Sequence, residues 1–375
     1  MKITFFSNFL NHHQLPLCLE FIAKKVDFKF VATEMIPTER LKLGYEDMNN
    51  KYDFVIRTYE NKCQYELAKK LALESDIVIY GAAPYKFVEN RIKCDEKVTF
   101  RYSERLFKKG RFQFFKSRML LDSIIKHKTY NNYFLLCASA YAAKDYNMCG
   151  QFINKSYKWG YFPKIDNCDV AKLMREKQKK ILWVGRFVDF KKPEEVVLLA
   201  KYLRKIKVKA SIEMVGTGPK EKQIKTMIQK LNLSDYIDVI GSLPNNDVIK
   251  KMRESSIFIF TSDKGEGWGA VLNEAMNCGC AVVANYHIGS VPYLIKQCQN
   301  GYYYTTRQQF YNYVTHLLLN PAECYKIGYE AYLTIVNKWN ARTAVENLMI
   351  LYEDIVHNNN TTIIDGPCSI DSKAL

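Results

Sequence analysis

Two glutamates, Glu266 and Glu274, stand eight positions apart in DKGEGWGAVLNEAMNCGC (residues 263–280), accompanied by Gly265, Gly267 and Gly269. Glycine lets a backbone approach a ligand closely, and the first N–H groups of a helix make an anion site. The stretch reads as a loop that turns into a helix at Ala270, with Gly279 as its stop. The amide end then falls near Gly269, Ala270, Val271 and Leu272. Ionised carboxylates would repel a phosphate seated there. Their work is to accept hydrogen bonds from hydroxyls, at about 1.5 to 3 kcal/mol for each bond to a charged group. A ligand with phosphates in its middle and hydroxyls at both ends is a sugar nucleotide. The plain alternative is a glycine-rich turn followed by solvent-facing glutamates.

A second polar cluster follows the first apolar run of the chain, where Asn8, Asn11, His12, His13 and Gln14 crowd into NFLNHHQLP. Either histidine could serve as a general base or donate to a sugar hydroxyl or a phosphate. The same side chains could equally cap a helix. FRYSERLF (100–107) adds Arg101, Ser103, Glu104 and Arg105 as acceptor-side or cleft candidates, with a surface ion pair as the bland reading.

Residues so far apart must be brought together by a scaffold. Apolar runs alternate with helical periods, which predicts βα units on parallel sheets. The strand runs of the first half are 3–7, 28–34, 54–59, 76–81, 98–102 and 134–139; those of the second are 181–186, 211–216, 237–241, 256–261 and 281–284. At 375 residues, 48% of them hydrophobic, the chain exceeds one core and suits two. The expected fold is α/β, two Rossmann-like doubly wound domains facing a cleft, with ligands at the carboxyl ends of the strands. The domains are placed at 1–163 and 164–338. Helices at about 322–357 are expected to pack back on the first domain, the final one over 339–357, and the polar stretch 358–375 reads as a loose tail. Eleven cysteines without CxxC pairs, no secretory signal and no long apolar span predict a cytoplasmic protein.

Around the glutamates, several further elements occur in order. WVGRFVDFKKPEE supplies Gly185, Arg186 and Lys191, VGTGP supplies Gly216, Gly218 and Pro219, and GSLP follows at 241–244. Together with Glu266-x7-Glu274 this arrangement resembles the retaining glycosyltransferases of family 4, which have the GT-B fold; the resemblance covers about residues 180–300. It implies a nucleoside diphosphate sugar as donor, UDP- or GDP-linked, with Glu274 on the ribose hydroxyls and Glu266 on the transferred sugar. It also implies that Arg186 and Lys191 hold the diphosphate, and that Gly216, Gly218, Gly267, Trp268 and Gly269 line the donor site. Fixed cations would stabilise the charge that develops on the departing diphosphate. The chain has no DxD sequence, and no metal or other cofactor is expected. Two departures from the family stand out: no glycine-rich loop follows the first strand, and Tyr293 occupies the place of a glutamate in HIGSVPYLI, where Gly289 and Ser290 are expected to line the site.

A net charge of +16 favours acidic partners. Basic residues interleave with phenylalanines over 105–128, which suits an anionic membrane surface and hence a peripheral protein on the inner face of the plasma membrane, or else a solvated helix with its phenylalanines in a core. The acceptor implied is a saccharide or lipid-linked glycan, in surface polysaccharide or glycolipid synthesis. A nucleotide-sugar epimerase of the same fold is the nearest rival, and a non-catalytic basic binder is another. VGTGPKEKQ lacks the third glycine of a dinucleotide fingerprint, and the charge is spread rather than striped, so neither a dehydrogenase nor a nucleic-acid partner is expected.

Overall fold

The computed structural model describes residues 1–38, 41, 46–108, 110, 130–165 and 169–371. The greater part of the basic segment 105–128 lies outside them. The chain divides into two compact units, Met1–Lys164 with Trp339–Leu375, and Ile165–Lys338.

The first unit holds seven parallel strands in the order β3-β2-β1-β4-β5-β6-β7. They are β1 (Lys2–Ser7), β2 (Asp27–Ala32), β3 (Val55–Arg57), β4 (Ile77–Tyr80), β5 (Thr99–Ser103), β6 (Tyr133–Cys137) and β7 (Ser156–Lys158). β1, β4 and β6 are almost wholly buried because helices cover both faces of the sheet, and this is why their sequences run apolar without alternation. Arg91 fastens the amino-terminal side of this sheet. Its guanidinium donates to the carbonyls of Ala72, Ser75, Asp76 and Val98 and to Thr99 Oγ1, and burial pushes its pKa down to about 10.

The second unit holds six parallel strands in the order β10-β9-β8-β11-β12-β13. They are β8 (Gln178–Val184), β9 (Ser211–Val215), β10 (Ile237–Gly241), β11 (Ser255–Phe260), β12 (Ala281–Asn285) and β13 (Tyr302–Tyr304). Trp183, Phe187, Met214, Ile259 and Val283 meet the helices Pro193–Lys205 and Arg307–Leu319 in one core. No helix among the described residues is long and apolar enough to cross a membrane.

The sequence missed β7 and β13. Each is a three-residue edge strand without the aliphatic residues that mark the equally short edge strand β3, being SYK and YYY where β3 is VIR. Two further expectations are corrected. The helix Pro321–Asn337 stays with the second unit, packing on β12 and on the helix Val271–Asn277; only Ala341–Val356 joins the first unit, against Leu15–Ala23, with Lys24 Nζ 2.6 Å from Glu346 Oε1. The polar tail is ordered at least through Asp371. Cys368 N–H donates to Lys158 O (2.7 Å), Lys158 N–H to Ser369 O (2.8 Å) and Asp371 N–H to Ser156 O (2.9 Å), while the Cys368 side chain is buried. An edge strand presents unpaired main-chain groups, and a tail can satisfy them with its own backbone whatever its side chains.

Candidate active site

In the second unit the strand order reverses between β8 and β11, and in such sheets ligands bind beyond the carboxyl ends at the reversal. β8 runs into Gly185, Arg186 and the single turn Asp189–Lys191, β9 into Gly216–Gly218, and β11 into the loop that carries Glu266. The first two turns lie backbone against backbone. A Cβ on Gly216 would stand 2.0 Å from Gly185 O, and one on Gly218 2.7 Å from Phe187 O. Phe187 N–H donates to Thr217 O (2.9 Å) and Lys220 N–H to Phe187 O (3.0 Å) across this contact.

The loops after β8 and β11 are tied in the same way. Thr261 Oγ1 accepts from Trp183 Nε1 (2.9 Å) and donates to Lys191 O (2.7 Å), and Asp263 N–H donates to Phe190 O (2.8 Å). The ties set Lys191 Nζ 2.5 Å from Glu266 Oε2, with side chains 14% and 13% exposed. The same ammonium lies 5.6 Å from the centroid of Phe190 and 5.3 Å from that of Phe260, so cation–π attraction adds to the ion pair. Arg186 is exposed, and its guanidinium has no partner among the described residues. Glu274 is 9% exposed, and no hydrogen bond or ion pair reaches its carboxyl group among the described residues. Burial pushes its pKa up to about 7. Among the described residues the site therefore offers Arg186 as a cation without a partner, Lys191 as a paired one and Glu274 as a buried carboxyl without a partner.

Some candidates also have a structural role. Gly265 and Gly269 lie close over the floor of the loop: a Cβ at Gly265 would meet Phe190 Cβ at 2.8 Å, and one at Gly269 the Phe260 ring at 2.7 Å. The indole of Trp268 is fully buried and donates to Asn273 Oδ1 (2.8 Å), so only its main chain can face a ligand. The helix Val271–Asn277 is seven residues long, and its amide end is narrower than expected, because Leu272 N–H already donates to Gly269 O (3.0 Å). That leaves the N–H groups of Ala270 and Val271 without an acceptor among the described residues. The sequence also overlooked the hydroxyls of Ser262 and, as a hydrogen-bonding group, Ser290. Both are buried and lack a hydrogen-bond partner among the described residues.

In the first unit the order reverses between β1 and β4. Asn11 Oδ1 closes the turn after β1, accepting from the N–H groups of His13 (3.0 Å) and Gln14 (3.2 Å), whereas the helix Leu15–Ala23 has Gln14 as its N-cap and no side-chain cap bond. The rings of His12 and His13 are 3.7 Å apart between centroids. His13 stacks on Tyr161 at 5.6 Å with 14° between the ring planes, and Tyr161 Oη donates to Glu104 Oε1 (2.7 Å), which also pairs with Lys108 through its other oxygen. Glu104 is thus joined to His13 through a tyrosine that no spacing rule singles out. Arg101 donates to Gly81 O (2.7 Å) and lies over the Tyr80 ring at 4.3 Å. Arg105 forms a buried rather than a surface ion pair, 3.5 Å from Asp145 Oδ2. Burial raises the Asp145 pKa, opposed by the N–H of Phe107.

Residues 166–334 match the family described as Glycosyl transferases group 1. Among curated proteins, the chain is 32% identical over 111 residues to the N-acetylgalactosamine-N,N'-diacetylbacillosaminyl-diphospho-undecaprenol 4-alpha-N-acetylgalactosaminyltransferase of Campylobacter jejuni, which covers 30% of this chain and 29% of that protein. It is 29% identical over 128 residues to the N-acetyl-alpha-D-glucosaminyl L-malate synthase of Bacillus anthracis, covering 34% and 32%. The chain spans about a third of the length of the curated relatives it matches. Among solved structures, Anabaena HepE in complex with UDP and glucose aligns at a TM-score of 0.65 and 15% identity, over 93% of this chain and 98% of that one. With two parallel-sheet Rossmann-like units in the chain and this likeness over nearly its whole length, the fold is GT-B.

Proposed function

We propose that the protein is a retaining glycosyltransferase that moves a sugar from a nucleoside diphosphate sugar to a saccharide or lipid-linked glycan. The observation that carries this reading is the family match over 166–334, a span that contains Arg186, Lys191, Glu266 and Glu274. Its relatives fit: one is named for transfer onto a diphospho-undecaprenol-linked sugar, and a structural neighbour binds UDP and glucose. In this reading Arg186, Lys191 and the amides of Ala270 and Val271 take the diphosphate, Glu274 takes the ribose hydroxyls, and Glu266 takes the transferred sugar. In the first unit, His12 and His13 serve the acceptor, with Arg101 and Glu104 beside them. Surface polysaccharide or glycolipid synthesis is the corresponding role.

The test is a panel of sugar nucleotides scored by thermal stabilisation, with hydrolysis and transfer assays on those that bind. A panel with no stabilising member overturns the reading. Because protein cations serve the leaving diphosphate, turnover is expected to persist, within about twofold, after exhaustive chelation with EDTA. A loss restored by a divalent cation would instead place a metal at the diphosphate. Contact with an anionic membrane through residues 105–128 belongs to the same proposal and rests on the sequence of that segment. Co-sedimentation with liposomes should then rise with their anionic lipid content.

A further inference from the structure

Lys191 is one of the two cations assigned to the diphosphate in this reading, yet it is already neutralised. Its ammonium sits 2.5 Å from Glu266 Oε2, and the two side chains are 14% and 13% exposed. An anion arriving at Lys191 meets a carboxylate first, and like charges at such range in a partly desolvated setting repel strongly. Glu266 in turn has its acceptor capacity drawn to the lysine. The pair is held from both sides, by the Thr261 and Asp263 bonds to the main chain at Lys191 and Phe190, and by the Gly265 N–H donating to Asp263 Oδ1 (2.8 Å). Phe190 and Phe260 offer Lys191 an alternative, weaker neutral seat on their ring faces.

We infer that Glu266 is a built-in counter-ion that couples the two halves of the donor: the diphosphate displaces it from Lys191, and the sugar hydroxyls then take over the released carboxylate. The inference rests on the reading of this unit as the donor site and adds a physical consequence to it. A diphosphate alone breaks the ion pair and leaves Glu266 unpaired, whereas a diphosphate carrying a sugar repairs both sides at once. The site therefore discriminates against the nucleoside diphosphate freed of its sugar, which is the reaction product, and against other small anions. No bond is made or broken in this exchange; only the partners of two charged groups change.

Inorganic pyrophosphate is the probe, because it has the anion and none of the hydroxyls. Its binding is measured by calorimetry to the parent protein, to Glu266→Gln, to Lys191→Gln and to the double variant, at one fixed salt concentration. Glu266→Gln should bind it at least about fivefold more tightly than the parent, the lower end of ordinary site–site coupling. That gain should vanish when Lys191→Gln is added. Glu266→Ala is made alongside and carries the same expected sign, so the result does not depend on one variant folding. Binding that needs Lys191 but is unchanged or weakened by both Glu266 substitutions overturns the coupling and leaves the anion site standing. Binding that is indifferent to Lys191 in every background overturns the coupling and the donor-site reading together.

Discussion

Glu274→Gln is expected to abolish sugar transfer and, in the unliganded protein, to increase stability at pH 8. The two effects share one cause, the burial of a carboxyl group that no hydrogen bond or ion pair reaches among the described residues. If Glu274 accepts two hydroxyls of the donor in its charged form, losing both bonds costs about 3 to 6 kcal/mol, or a rate loss of about a hundred- to ten-thousandfold. The unliganded protein bears the opposite burden. Its Glu274 has a pKa of about 7 against an ordinary 4.5, so between those values the folded state keeps a proton that the unfolded state has lost. Stability therefore falls as pH rises from about 4.5 to about 7 and stays low above that, by a total on the order of 3 kcal/mol. A glutamine has the same shape and no charge to bury, so the variant should gain over the parent at pH 8 and gain little at pH 5. Urea unfolding at the two pH values reads the difference. Equal stability losses at both would mean that the carboxylate is satisfied in the folded chain, which removes the ground for assigning it to a ligand.

The same carboxyl shows how much was legible beforehand. The interior strands announce themselves because both faces are covered, so runs such as Ile257–Phe260 or Ile77–Tyr80 stay apolar from end to end. β13 hides in YYY and β7 in SYK, where an edge position leaves no pattern to read. Of the donor-site candidates, the two glutamates, Arg186 and Lys191 were visible as residue types at a spacing. The contact of Lys191 with Glu266 was not, since 75 positions separate them and only the adjacency of β8 and β11 brings them together. The glycines were visible, but one reason for them was not: Phe190 and Phe260 lie so close beneath Gly265 and Gly269 that a Cβ would collide with them. In the first unit, Asn11 and His13 were marked by type. Tyr161, which joins His13 to Glu104, had no distinguishing mark among 26 tyrosines.

Gly216→Ala is expected to be far more damaging than Gly241→Ala, although both glycines have positive φ and lie one strand apart. At Gly241 (φ +89°) an added Cβ meets nothing within 4 Å, so the cost is that of the backbone conformation alone, about 1 to 2 kcal/mol. At Gly216 (φ +134°) the Cβ would lie 2.0 Å from Gly185 O and 2.9 Å from Gly185 C, atoms of main chain that cannot swing aside like a side chain. Gly185 N–H donates to Val215 O (3.0 Å), and Gly216 N–H donates to Gly241 O (2.7 Å), which pins both partners of the clash to the sheet. Relief requires β8 and β9 to part at their carboxyl ends, where Arg186 leaves the sheet. A loss above about 4 kcal/mol is therefore expected for Gly216→Ala, in the range reserved for overpacking against fixed structure. Urea unfolding of the two variants side by side exposes the collision, since both carry the cost of a positive φ and only Gly216→Ala adds a main-chain clash. Should both lose the same small amount, the strand ends yield easily. The spacing of Arg186 and Lys191 would then need another source of rigidity.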